Sequence, residues 1–359
     1  MDTIPPMAAS PASDGSGAIL HRHIPLDRTF NTRDCGGYPA ADGKFIKWRT
    51  LLRTDCPLTL TDASLATLRD IGVRTAIDLR NRQEIRDDAT RHALDQAPGI
   101  RYLNLPLIPR FSPETMPRDV ADAYLMYLRD LQPQIRDVIS ALATCEAPAI
   151  VNCQAGKDRT GMIIALALGT VGVPLDTLVA DYALTEIHLR GLIPELIAEA
   201  ISEGYDSERY RRMLETPPEA MRQALAWAIQ NYGSIPHYLT AIGVTQAELA
   251  ALRALLLVEH THVSFGWRLP DERRARTVFT AEVHVYEHSL DRWLMRLLTP
   301  SEPVDESLPE EFRALVGKLT GKWVRIPGEA RKGLTLPMKY ETLRGEIAYF
   351  HTNRPPTVA

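Results

Sequence analysis

Cysteine is scarce in this sequence. Cys35, Cys56, Cys145 and Cys153 are four in 359 residues, and no two form a C-x-x-C pair. That excludes a disulfide-knit secreted scaffold and a metal site built on paired thiols, and no cofactor is expected. It fits a reducing compartment, in which thiols stay free. Long apolar runs are lacking too: the longest near the middle, Gly161 to Val173, is too short to span a bilayer. Residues 1–20 have neither the basic start nor the apolar core of a secretory leader. A formal net charge of -4 excludes a basic coat for nucleic acid. The expectation is a soluble cytoplasmic protein with no transmembrane segment and no nucleic-acid partner.

What is present is a chain whose length suggests two domains. Residues 1–20 are rich in Pro, Ser and Gly and read as a flexible tail. From residue 44, short apolar runs alternate with amphipathic ones. Phe45–Leu52, Val73–Leu79, Arg101–Pro106 and Ala147–Asn152 read as strands, and Thr61–Ile71 and residues 117–143 as helical. Such alternation predicts an α/β fold with a central, mostly parallel sheet flanked by helices. Residues 176–203, 217–232 and 245–258 carry helical spacing and form a helical insertion and closing helices. A boundary near 262 separates this 21–262 domain from a smaller α+β module, 263–359, with strand patterns at Trp323–Ile326, Leu334–Tyr340 and Glu346–His351.

The chemistry concentrates in Cys153-Gln154-Ala155-Gly156-Lys157-Asp158-Arg159. A Cys followed by five residues and an Arg is weak by spacing alone. Its context gives it force: an apolar strand precedes Cys153, and Thr160-Gly161 opens an apolar helix. A strand, a glycine-containing loop and a helix start form an anion cradle, because the amides of residues 154–159 can converge on a phosphate. Gln154, Ala155, Gly156, Lys157 and Arg159 are therefore the expected phosphate-binding residues. The helix start favours the thiolate of Cys153, a nucleophile for phosphorus. Arg159 offers a planar fork to phosphate oxygens. Thr160 can donate its hydroxyl to the thiolate as it leaves, and Asp158 is the nearest carboxyl able to protonate the leaving oxygen. Lys157 adds charge at the rim. Asp119 and Asp122 fall in a helical pattern, so Asp158 is preferred as the acid.

With these residues stated, Val151–Gly161 (VNCQAGKDRTG) resembles the signature His-Cys-x-x-Gly-Lys-Asp-Arg-Thr-Gly of the atypical bacterial tyrosine phosphatases. Asn31–Tyr38 (NTRDCGGY), Arg49–Asp55, Ala76–Arg80 (AIDLR) and Gly233–Leu257 resemble further segments of that family, so the likeness covers about residues 22–258. It implies a cysteine-dependent phosphomonoester hydrolase working through a phosphocysteine, with Cys153 as nucleophile, Arg159 binding phosphate and Asp158 as acid. Its substrate would be a phosphorylated protein, first of all on tyrosine. The alternatives are a phosphorylated lipid or small molecule, which Lys157 would favour by facing extra phosphates, and a phosphate-binding pseudophosphatase.

Two positions depart from the pattern. Asn152 stands where the family has His; an amide also donates, so weakened rather than abolished activity is expected. Cys35 stands at a usually apolar position and reads as a small buried hydrophobe. The Asn31–Gly37 run reads as architectural, with Asp34 bracing an arginine near the loop. Tyr182 and His188 read as core residues close to the pocket.

Overall fold

Leu52, Ala76 and Ile150 lie side by side in one row of a five-stranded sheet, and that row fixes which face of each strand meets which helix. The computed structural model describes residues 12–13, 19–20, 22–85, 93–107, 117–202, 204–258, 260–268, 276–289, 292–297, 323–327, 340–342 and 345–351. The chain divides into two compact units, Arg22–Leu257 and Met1–His21 with Val258–Ala359. In the latter, β1 (Ala12–Ser13) pairs antiparallel with β2 (Ile19–Leu20).

The larger unit contains β3 (Arg33–Asp34), β4 (Leu51–Thr54), β5 (Thr75–Asp78), β6 (Arg101–Asn104) and β7 (Ala149–Asn152). Their order is β3-β4-β7-β5-β6, with every pairing parallel except β3 to β4. The expected α/β architecture is therefore the one found. Helix α1 (Asp62–Ile71) starts at Thr61, whose side chain accepts from the amide of Ser64, and stops at Gly72 with φ 83. Its Leu68 and Ile71 join Ile24 and Leu26 against the Leu52–Ile150–Ala76 row. Each such fully buried aliphatic side chain contributes roughly 1.5–3 kcal/mol.

Residues 117–143, which share one helical pattern, form two helices, α2 (Val120–Asp130) and α3 (Gln132–Thr144). Leu131 leaves helical geometry between them, and Pro133 sits in the first turn of α3, where its missing N–H does no harm. After β7 comes α4 (Asp158–Thr170), buried at every position from Thr160 to Thr170. An apolar surface all round marks a helix enclosed by neighbours. Those include α3, α5 (Leu175–Leu189), α9 (Ile235–Ala241) and α10 (Gln246–Leu256). Between α5 and α9 lie α6 (Ile193–Ser202), α7 (Ser207–Leu214) and α8 (Pro218–Tyr232).

The expected strand Phe45–Leu52 is displaced. Phe45 and Ile46 make isolated bridges, Arg49 takes a positive φ of 52, and the ladder begins at Leu51. A left-handed residue turns the chain out of any strand, so the pairing restarts after it.

In the smaller unit, β8 (His260–Arg268), β9 (Arg276–Ser289), β10 (Arg292–Leu297), β11 (Trp323–Pro327), β12 (Tyr340–Thr342) and β13 (Gly345–His351) form a sheet in the order β11-β10-β9-β8-β13-β12, all antiparallel. Its strands include Trp323–Ile326 and Glu346–His351 as expected; residues 334–339 lie outside the described residues. Strands β8 to β10 were not foreseen.

Candidate active site

Central strand β7 delivers Cys153 at its C-terminal end, where ligands collect in open parallel sheets. From there the chain turns through Gly156, φ 63, into α4. A Cβ on Gly156 would stand 2.3 Å from the carbonyl oxygen of Thr54 and 2.6 Å from the amide of Asp55, so only glycine fits this approach.

The loop's carbonyls are all held from outside. Cys56 donates its amide to Gln154 O at 3.0 Å. Asn31 Nδ2 donates to Ala155 O and Gly156 O, both at 3.0 Å, and Arg53 donates to Gly156 O at 2.7 Å. Asn31 is itself seated by the Asp55 carboxylate, which accepts its amide at 2.9 Å. With carbonyls out, the amides face in. Among the described residues, those of Gln154, Ala155, Gly156 and Lys157 donate to no protein acceptor. The first turn of α4 adds uncapped amides, since Lys157 at its N-cap makes no side-chain cap. Converging unpaired amides at a positive helix end make an oxyanion cradle.

Beneath the cradle lies a buried ionic cluster. Arg33 and Arg53 approach Asp181 of α5 at 3.3 and 2.7 Å, and Tyr38 donates to it at 2.8 Å. Burial alone would raise the Asp181 carboxyl, but the two guanidiniums hold it well below the usual carboxylate range. Asp34 does not brace an arginine side chain as expected. It accepts the amides of Gly36 and Arg49, both at 2.7 Å, and so fixes the backbone turn. Burial pushes it up to about 6 despite those bonds.

Arg159, on the first turn of α4, is gripped by Glu84 with two contacts of 2.8 Å. Burial opposes its charge, and Glu84 first, together with Cys153, more than offsets that. Asp158 accepts from Tyr124 of α2 at 2.6 Å and keeps about a third of its side chain exposed. Tyr127, one turn further along α2, is buried, and the charges of Asp158, Arg159, Cys153 and Glu84 all reach it. A family model described as tyrosine phosphatase family matches residues 24–258.

The chain belongs to the tyrosine phosphatase family. It is a phosphoric monoester hydrolase. A tyrosine-protein phosphatase of Nostoc commune is 28% identical over 236 residues, 62% of this chain and 79% of the relative. The triple specificity protein phosphatase PtpB of Mycobacterium tuberculosis is 28% identical over 282 residues, 65% of this chain and 98% of the relative.

In this phosphatase Lys157 is not at the rim. It is 1% exposed, donates to the carbonyls of Met213 and Glu215, and lies 3.2 Å from Asp158 Oδ1. The free carbonyls behind α7 draw the ammonium inward. Thr160 has its hydroxyl buried without a partner among the described residues, so the expected bond to Cys153 is not made in this structure. Asn152 donates to Asp78 at 3.1 Å and to Cys153 O at 3.3 Å. Asp119 caps α2, and Asp122 pairs with Arg118, so both have structural work. Cys35 is fully buried, unpaired with any other cysteine and pushed up by burial. Sequence reasoning missed Glu84, Tyr124, Tyr127, Arg53 and Asp181. Arg53 alone had a signal, inside Arg49–Asp55; the others are recruited from helices and loops by the fold. Among the described residues no His, Cys, Asp or Glu cluster is arranged to hold a metal, and no helix is long and apolar enough to cross a membrane.

Proposed function

We propose that this phosphatase hydrolyses phosphotyrosine in proteins, with Cys153 as nucleophile. Its thiolate attacks phosphorus; the S–P bond forms as the P–O bond to the leaving phenol breaks. Asp158 gives that oxygen its proton. Water then attacks the phosphocysteine, the P–S bond breaks, and Asp158 takes the water's proton as inorganic phosphate departs. The loop amides of residues 154–157 and the Arg159 guanidinium stabilise the equatorial oxygens through both steps. Thr160 donates to the sulfur as it regains its charge.

The observation that carries this reading is the set of loop carbonyls held outward by Asn31, Arg53 and Cys56, which leaves the amides to an oxyanion. Burial of the Lys157 ammonium against Met213 and Glu215 removes the contact that favoured a lipid with extra phosphates, so a phosphoprotein is the preferred substrate. The loop is complete apart from Asn152, which argues against a pseudophosphatase. All four cysteines are unpaired, which supports a cytoplasmic setting. We take residues 22–257 as the catalytic domain, because the family match ends at 258, and residues 258–359 as an appended module.

The test is hydrolysis of a phosphotyrosine peptide and of inositol phosphates by the full chain and by Cys153→Ser. Peptide turnover lost in the variant is expected. Equal rates for wild type and variant would end the catalytic reading, and a higher kcat/KM for the inositol phosphates would reassign the substrate.

A further inference from the structure

Asp158 makes an asymmetric set of contacts. Tyr124 Oη and Lys157 Nζ both reach Oδ1, at 2.6 and 3.2 Å. Among the described residues, Oδ2 has no hydrogen-bond partner. Tyr124 is fully buried on α2, and its oxygen also lies 2.8 Å from that of Tyr182 on α5. A phenol has one proton. The Tyr124 hydroxyl is placed to donate to both oxygens, and its one proton goes to the carboxylate, the charged and nearer acceptor, while the Tyr182 ring packs behind it from α5.

We infer that Tyr124, backed by Tyr182, is a positioning residue that reserves Oδ1 as an acceptor, so that the proton Asp158 exchanges with the leaving oxygen is carried on Oδ2. This rests on the reading of Asp158 as proton donor. The rings are locked for the task, meeting edge to face with centroids 5.7 Å apart at 83°. Burial first, then Asp158, pushes the Tyr124 phenol far above its ordinary value, so it stays protonated and able to donate. A carboxyl whose second oxygen is fixed cannot rotate its proton away from the substrate, which is the positional precision that general acids need.

The experiment is a leaving-group comparison. kcat/KM is measured on p-nitrophenyl phosphate, whose phenolate leaves unaided, and on phenyl phosphate, whose phenolate needs a proton. Wild type, Tyr124→Phe, Tyr182→Leu and Asp158→Asn are compared, each checked for folding by circular dichroism. Tyr124→Phe is expected to lose about tenfold more on phenyl phosphate than on p-nitrophenyl phosphate, with the same bias, smaller, in Tyr182→Leu, which removes the ring that holds Tyr124 in place. An equal loss on both substrates, or none, overturns the inference, as it would mean packing alone. Should Tyr124→Phe fail to fold, Tyr182→Leu decides by the same criterion. Asp158→Asn separates the two readings. If it loses phenyl phosphate selectively while the tyrosine variants do not, only the positioning role falls. If it shows no selectivity, Asp158 is not the donor and both fall.

Discussion

Arg159 is held end-on by Glu84, its NH1 and NH2 nitrogens each 2.8 Å from one carboxylate oxygen. The second NH1 proton points toward Leu79 O at 3.4 Å. That leaves the side edge of the guanidinium, Nε–H with the outer NH2 proton, as the face presented to phosphate. Glu84 thus aims the arginine and keeps its buried charge balanced. Glu84→Gln retains the shape and removes the charge, and it should weaken inhibition by vanadate about tenfold, raising KM more than it lowers kcat. Unchanged vanadate inhibition would mean that Arg159 is aimed by something else.

Thr160 carries a buried hydroxyl with no partner among the described residues. An unpaired buried hydroxyl costs about 1–3 kcal/mol, a cost that makes sense if the group acts only when sulfur regains charge. Thr160→Val should therefore gain about 1 kcal/mol in urea unfolding and lose turnover. The second step should suffer most, so a burst of p-nitrophenol and a trapped phosphocysteine are expected in rapid-mixing and mass measurements. A variant with no burst and an unchanged rate would remove Thr160 from the mechanism.

Much of this site was legible in the sequence because its residues are contiguous. Strand, cysteine, glycine, arginine and apolar helix follow one another within Ala147–Val173, and local rules suffice to read them. Lys157 escaped those rules: a charged residue in a loop reads as exposed, and only the packing of α7 shows where its ammonium goes. Glu84, Tyr124 and Asp181 were invisible for a related reason. Each comes from outside that run, Glu84 from the loop after β5, Tyr124 from α2 and Asp181 from α5, and only the fold brings the first two to the loop and the third to Arg53 beside it, which no periodicity records. Strands β8 to β10 were missed where charged stretches masked the alternation.

His188, half-buried on α5, stacks on His23 with centroids 5.3 Å apart. Burial first, then the charges of Arg33, His23 and Arg53, depress it to about 4, with Asp181 opposing. For a base whose folded pKa is lowered, the unfolded chain binds the proton more tightly. The stability contribution is therefore complete above the ordinary value of 6.5 and is lost as pH falls toward 4. Allowing for solvent screening of a half-buried ring, the loss is roughly 1–2 kcal/mol. Urea midpoints at neutral and mildly acidic pH should diverge less in His188→Gln than in wild type. Equal divergence would show that His188 does not sense this range.

Asp181 gives the sharpest stability prediction, because it is the anion that balances two buried guanidiniums. Arg33 and Arg53 are both fully buried, and Asp181 is 2% exposed. Arg53 spans the distance from this carboxylate to Gly156 O, so the ionic cluster and the loop share one side chain. Asp181→Asn leaves two cations facing each other in a low-dielectric interior, and removing one partner of such a cluster costs about 3–5 kcal/mol. The carboxyl is held below its ordinary range, so its contribution is present above the unfolded value of 3.8 and lost as pH falls through the lowered folded value. Wild type should accordingly lose stability in strong acid, and Asp181→Asn should be unstable already at neutral pH. If the variant folds, Arg53 should also release Gly156 O, and phosphate binding should weaken with stability. A variant that kept wild-type vanadate inhibition at a lowered urea midpoint would show that the cluster supports the fold without setting the loop.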